Sequence, residues 1–294
     1  MQKRVIVFGG SGFLGGYVVN ELIKRNYHVT VADLKRSPHI SPSVFVECDI
    51  LDAERVNAVV SSNTDFIYNF AGFANLDKAI EFPVKTLQLN VIGNANILEA
   101  ARKIRLERYV FASSSYALSD KGSFYGISKL ASEKVIDEYF KRYGLKYSII
   151  RYGSVYSELE FDNNYIFNLI RKAILTNKIE HDGDGEEVRE YIHASDASVL
   201  SVNIIEDDKY ENEHLILTGF ERMKRSELFE MIKEILNTDL EIILKKNGYK
   251  HHYKLSPYSF HPLASKKLIS NPFIDMGQGI LECIKEVKRS MEKE

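Results

Sequence analysis

Residues 1–36 read MQKRVIVFGGSGFLGGYVVNELIKRNYHVTVADLKR, and within them GGSGFLGG (9–16) packs five glycines into eight residues behind the apolar run VIVF (5–8). The short β-branched run predicts a strand, and the pattern from about Tyr17 predicts a helix. A strand, then Gly9-x-x-Gly12-x-x-Gly15, then a helix is what a pyrophosphate needs. The first glycine permits the tight turn, the second lets backbone N–H groups approach the phosphates, and the third lets helix and strand pack closely at the positive end of the helix dipole. The next strand candidate, HVTVAD (28–33), ends at Asp33, 18 residues after Gly15, where a carboxylate can accept hydrogen bonds from an adenosine ribose. A glycine-rich turn with no ligand is the plainer alternative. Strand, glycines, helix and acid in register favour a dinucleotide, with Phe13 and Leu14 lying between the glycines that would hold it. Asp33 would repel a 2'-phosphate and so favours NAD over NADP, while the adjacent Lys35 and Arg36 keep NADP open.

Strand candidates and helical patterns alternate beyond this stretch: FVECD (45–49), DFIYNFA (65–71), RYVFAS (108–113) and KYSIIRY (146–152) are separated by amphipathic segments. That rhythm predicts βαβ units and a parallel sheet of the Rossmann type, doubly wound, over residues 1–153. Helices are expected over 90–104, with Val91, Ala95, Leu98 and Ala101 on one face, and over 125–143, ended by Gly144. After Tyr152 the rhythm loosens: ELEFDNNY and HDGDGEE (181–187) read as turns, and HLILTG (214–219) as a strand before a helix at 225–236. Residues 154–294 are expected to form mainly a smaller α/β substrate-binding cap, with 188–205 returning to the first domain.

Lys plus Arg (39) nearly balance Asp plus Glu (41), for a formal charge of −2, so nothing global argues for nucleic acid or an anionic membrane as partner. Cys48 and Cys283 are the only cysteines and lack CxxC spacing, which speaks against a disulfide framework and a cysteine-rich metal site. The apolar run behind MQKR is too short for a signal peptide or a membrane span, and a soluble cytoplasmic protein is expected. HHY (251–253) with His261 has the look of a metal cluster, but adjacent histidines cannot both point inward from a strand and no carboxylate has ligand spacing, so surface or substrate-pocket roles are expected and no metal is. His193 is expected to pack or bond locally.

A second constellation follows the strand at 108–113. FASSSYALSDKGSFYGISK places three serines at a strand end and then Tyr125-Gly-Ile-Ser-Lys129. Tyr and Lys four apart share a helix face, so an ammonium beside the phenol lowers its pKa and makes it a usable acid/base. Taken singly, such a pair usually means a packed tyrosine and a solvated lysine. Behind the glycine motif, it points to a site. Asp49, in ECDI beside Ile50, can accept from an adenine amino group or can cap the helix of LDAERVNAVV.

Taken together, these motifs resemble the extended short-chain dehydrogenases/reductases, and among them the NAD-dependent nucleotide-sugar epimerases and dehydratases. The glycine triplet, Asp33, Asp49, NFAG (69–72), Asn90, the serine cluster, YGISK and DGDGEEVREYIHASDAS (182–198) occur in that family's order over essentially the whole chain. The resemblance implies Tyr125 as the acid/base, Lys129 as the residue that holds the nicotinamide ribose, and Ser114 as the third catalytic member, with Ser115 as the alternative. It implies Ala71 and Asn90 as cofactor contacts alongside Ile50 and Asp49. Arg189 would grip the diphosphate of a nucleotide sugar, unless it simply pairs with Glu186, Glu187 or Glu190; Ser115 and Ser154 would meet substrate. It also implies a homodimer through the helices 90–104 and 125–143.

Two departures bear on substrate. The loop between Ser114 and Tyr125 has ten residues where relatives carry a longer one, and Ser154 stands where the family has an asparagine. Family dehydratases carry Asp-Glu after the catalytic hydroxyl, whereas Ser115-Tyr116 follows Ser114 here. A nucleotide-sugar 4-epimerase, working through a transient 4-keto sugar as in the UDP-glucose/UDP-galactose 4-epimerases, is what the resemblance leaves. A 4-keto-sugar reductase and a non-catalytic NAD-binding relative are the alternatives.

Overall fold

The computed structural model describes residues 2–245, 252–257, 266–271 and 273–292. Its larger layer alternates strand and helix from the start: β1 (Arg4–Phe8), α1 (Phe13–Lys24), β2 (His28–Asp33), β3 (Phe45–Glu47), α2 (Ala53–Val59) and β4 (Phe66–Asn69). Two short helices, α3 (Leu76–Glu81) and α4 (Pro83–Leu87), lead through a π turn at Gln88–Ile92 into α5 (Gly93–Ala101). The helix expected over 90–104 therefore begins earlier, where Pro83 occupies a first-turn position that needs no N–H donor, and ends at Ala101. Then come β5 (Arg108–Ser114), the long α6 (Ser123–Tyr143), which ends before Gly144 as expected, and β6 (Tyr147–Tyr152).

These strands form one eight-stranded sheet, joined on the β6 side by two strands from the second half of the chain, β10 (Glu213–Leu217) and β13 (Lys266–Leu268). Its order is β13-β10-β6-β5-β4-β1-β2-β3, and every pairing is parallel. Both faces are covered, because successive side chains point to opposite sides. Val5, Val7, Phe66, Tyr68 and Ile150 pack with Val18 and Leu22 of α1 and Ala197 and Val202 of α8 (Ala194–Asn203). Ile6, Phe8, Ile67, Phe111 and Ile149 pack on the other face with Val56, Ile97 and Ile136, from α2, α5 and α6. Strand order reverses at β1, with β2 and β4 to either side, and such a switch point opens a crevice beyond the C-terminal strand ends.

A second, smaller core lies beyond β6. It is built from β7 (Ser154–Tyr156), α7 (Tyr165–Thr176), β8 (Lys178–His181), β9 (Val188–His193), β11 (Arg222–Lys224), α9 (Arg225–Leu236), β12 (Glu241–Leu244) and α10 (Met276–Met291). Strands β11, β9 and β7 make one small sheet and β12 pairs with β8. Phe167, Ile170, Phe229, Ile232, Ile280 and Ile284 close that core. The chain crosses between the two layers several times. After β9, α8 returns to pack on α1, and β10 and β13 extend the large sheet.

Leu22 is fully buried between α1 and the sheet. Leu22→Ala is expected to destabilise the protein by about 2–5 kcal/mol through lost burial and the cavity left behind, measurable as a lowered midpoint of urea unfolding.

Candidate active site

The crevice at the switch point is a cleft of about 420 Å³. Its floor begins where β1 becomes α1. Gly9 takes a φ of +75°, and a Cβ there would sit 2.4 Å from the Ala71 nitrogen. At Gly15 a Cβ would lie 2.3 Å from the Gly9 carbonyl oxygen, so the first turn of α1 passes over the strand end only because that side chain is missing. Phe13, Leu14 and Gly12 complete the lip. The Asp33 carboxylate accepts from Ser11 N at 3.0 Å and from Leu34 N at 2.8 Å. Burial raises its pKa and those two N–H donors pull it back.

Asp49 and Ile50 line the same end of the cleft, with the buried Cys48 beside them. Of the two roles open to Asp49, capping falls to another residue: Asp52 receives Arg55 N and caps α2, while Asp49 turns its carboxylate onto Leu51 N and stays at the cleft. Arg36 donates to the Ile40 carbonyl at 2.6 Å, which commits it away from Asp33. Asn90 does not line the cleft. Its amide accepts from Phe73 N and donates to Phe73 O and Ser128, so it ties the loop after β4 to α6 one step behind the Ala71 wall.

At the other end the two serines that close β5, Ser113 and Ser114, and Ser115 just beyond it part to different surroundings. Ser113 donates to Glu133 of α6. Ser114 accepts from Tyr116 N at 3.3 Å and lines the cleft together with Tyr125. Ser115 meets the Tyr253 hydroxyl at 3.2 Å. Tyr125 and Lys129 both reach the cleft from one face of α6. Burial raises the Tyr125 pKa, with Ser114 lowering it and Tyr253 raising it further. The lowering expected from Lys129 does not act on the phenol here: its ammonium donates to the Ala112 carbonyl at 2.7 Å, 5.9 Å from the Tyr125 ring centre. Complete burial brings Lys129 itself down to about 8, against a partial upward pull from Glu133.

The smaller layer closes the cleft with Gly153, Val155 and Asn163, residues that sequence patterns did not single out, while Ser154 between the first two is not among the lining residues. Its loop is clamped to α1 by Glu158, which accepts from Tyr17 and meets His193 at 2.9 Å, and by Phe161 packed 5.3 Å from the Phe13 ring centre. His193 bonds locally, as expected. Arg189 is buried, donates to the Val188 carbonyl, and stacks its guanidinium 4.1 Å from the Tyr253 ring centre.

Tyr253 thus stands between Ser115 and Arg189, two residues read from sequence as substrate contacts. The expected surface or substrate-pocket role of HHY (251–253) included it, but named neither of these partners. His252 bonds the Tyr116 hydroxyl at 2.7 Å, and His251 and His261 lie outside the described residues. Among the described residues no group of three His, Cys, Asp or Glu can hold a metal, and no helix is long and apolar enough to cross a membrane.

The model of the NAD-dependent epimerase/dehydratase family matches residues 5–217. A putative UDP-glucose 4-epimerase of Methanocaldococcus jannaschii is 28% identical over 97% of this chain and 99% of that protein. Among solved structures, UDP-glucose 4-epimerase of Thermotoga maritima with UDP-glucose superposes with a TM-score of 0.83 at 21% identity, covering 98% of this chain and 99% of the other. UDP-glucuronic acid 4-epimerase of Bacillus cereus, in complex with UDP-glucuronic acid and NAD, gives 0.83 at 20% identity with the same coverage.

Because Lys129 is held near 8 by burial, it should lose its proton well before solvated lysines. Competitive acetylation across pH 6 to 10, followed by peptide mass spectrometry, is expected to give Lys129 a titration midpoint about two units below theirs.

Proposed function

Since the chain belongs to the NAD-dependent epimerase/dehydratase family, we propose that it is a nucleotide-sugar 4-epimerase, acting on an NDP-hexose through a transient 4-keto sugar with NAD as resident cofactor. The observation that carries this is one continuous cleft: it runs from the glycine turn, Asp33 and Asp49 to Ser114, Tyr125 and Lys129. The glycine turn fits a pyrophosphate, since any Cβ at Gly9 or Gly15 would collide with backbone where the phosphates must approach. Asp33 suits an unphosphorylated ribose, and Arg36, engaged with Ile40, offers no cation for a 2'-phosphate.

Bound NAD would supply a hydride acceptor and, later in the same turnover, a hydride donor. Every other task falls to side chains of this protein. Tyr125 removes the proton of the C4 hydroxyl and returns one to the keto oxygen, with Ser114 lining the same cleft and able to hold the sugar oxygen. Burial opposes a phenolate, so the Lys129 ammonium on the same helix face favours the charged form and holds the nicotinamide ribose. Arg189, buried and braced by Tyr253, faces the diphosphate of the substrate. Ser115-Tyr116 leaves the position beside Ser114 without a carboxylate, which suits turning the keto sugar over rather than eliminating water from it.

The partner of the folded chain is a second copy. Along α4, the π turn and α6, Val84 (67%), Ile92 (54%), Ile127 (60%) and Leu130 (40%) remain exposed on helices that pack side by side, a stripe that a symmetric pairing would cover.

Three outcomes are expected. Denaturing the purified protein releases NAD or NADH near one per chain, and Gly15→Val protein carries none. NMR shows interconversion of UDP-glucose and UDP-galactose, of their N-acetyl forms, or of GDP- or dTDP-sugars, and Tyr125→Phe lowers kcat by about 10²- to 10⁴-fold with the dinucleotide retained; no conversion of any of these would overturn the epimerase. Light scattering gives dimer mass at micromolar concentration, and Ile127→Glu shifts it toward monomer.

A further inference from the structure

Beneath Lys129, on the same face of α6 and one turn further along, lies Glu133, whose side chain has no solvent exposure. A carboxylate so placed must be paired and hydrogen-bonded to be tolerated. Three strands meet that need. Arg151 of β6 approaches it bidentately, with Nε donating to Oε1 at 2.9 Å and Nη2 to Oε2 at 2.6 Å. Ser113 of β5, the register partner of Arg151 on the neighbouring strand, donates its hydroxyl to Oε1. His214 of β10 lies 3.6 Å from Oε2, accepts from Arg151 Nη2 at 3.1 Å on the same nitrogen, and contacts Asp137 with the other at 3.0 Å.

We propose that Glu133 is a positioning residue for the reacting group: pinned by Arg151 and Ser113, its carboxylate fixes the end of β5 against α6 and supplies the counter-charge beneath Lys129. Three details favour this over a simple structural ion pair. Ser113, which it holds, immediately precedes Ser114. The Ala112 carbonyl, which receives the Lys129 ammonium at 2.7 Å, immediately precedes Ser113. Lys129 and Glu133 are four residues apart on one face of α6, so the Glu133–Arg151 ion pair lies a single helix turn from the ammonium. Thus one carboxylate orders the strand end that presents Ser114 and biases the charge of the lysine beside Tyr125. The charged and titratable groups around the pair are Tyr125 and Asp137 on α6, Arg151 and Tyr147 on β6 and His214 on β10, with Tyr253 acting on Tyr125. Asp137 is held low, at about 2, with burial opposed by hydrogen bonds from His214 and Tyr147, so the far end of the network stays anionic.

The sign of the effect follows. Glu133 raises the pKa of Lys129 against the burial that brings it to about 8, so without the carboxylate the ammonium is lost at lower pH. The roles of Lys129 and Tyr125 rest on the epimerase reading, so the test has a readout that needs no substrate. In Glu133→Gln protein, competitive acetylation should move the Lys129 midpoint down by about one pH unit. In turnover, the alkaline limb of the kcat profile should move acidward by a similar amount, with kcat at pH 8 falling about ten-fold or more and KM changing less than about two-fold.

Glu133→Asp keeps the charge but withdraws it by one methylene. It should shift both measurements in the same direction by less, and it serves where the glutamine variant does not fold. An unmoved Lys129 midpoint with kcat reduced equally at every pH would reduce Glu133 to a structural ion pair and overturn the proposal. Failure to convert any sugar, with the midpoint shifted, would count against the epimerase and leave Glu133 as the counter-charge of Lys129.

Discussion

Everything in this molecule depends on the close passage of α1 over the end of β1. The helix can start where it does only because Gly15 has no side chain to meet the Gly9 carbonyl and because Gly9 can adopt a left-handed turn. That contact directs the N-terminal end of α1, with its unpaired N–H groups, into the crevice where strand order reverses. A bulkier loop would lift α1 off the sheet. It would also disturb Val18, Val19 and Leu22, which carry one of its two covering layers.

The second organising element is α6. One face of this single helix carries Tyr125, Lys129 and Glu133, so a spacing of four residues aligns a phenol, an ammonium and a carboxylate along the end of β5. Three consecutive serines at and just beyond the strand end find different partners: Ser113 meets Glu133, Ser114 receives Tyr116 N, and Ser115 turns to Tyr253 of the smaller layer. Adjacent identical residues thus acquire distinct tasks because a strand end, unlike its middle, is no longer constrained to one neighbour on each side.

The smaller layer shapes the remaining walls. Its loop around Glu158 and Phe161 is fastened to α1, and Arg189 with Tyr253 faces the serine end. The cleft therefore has one end held by short-range sequence motifs and another assembled from segments far apart in the chain.

How much could be read without coordinates follows that division. The glycine turn, Asp33, the strands at 4–8 and 28–33, the helix at 225–236 and the Tyr125–Lys129 face were legible because each is set by local geometry: a left-handed turn, period-two or period-3.6 patterning, a spacing of four. The separate partners of Ser113, Ser114 and Ser115, the place of Asn90 behind the cleft wall, Asp52 in place of Asp49 as the cap of α2, and the return of β10 and β13 to the large sheet were settled only in three dimensions. So was the identity of Tyr253 as the residue between Ser115 and Arg189. Each depends on which of several chemically similar groups a distant strand or helix brings within hydrogen-bonding reach, and no periodicity along the chain carries that information. The sequence by itself determined the fold type and the glycine-turn end of the cleft; the tertiary structure alone decided how the buried charges beneath Lys129 pair and which distant segments close the other end, because those pairings depend on groups that only folding brings together.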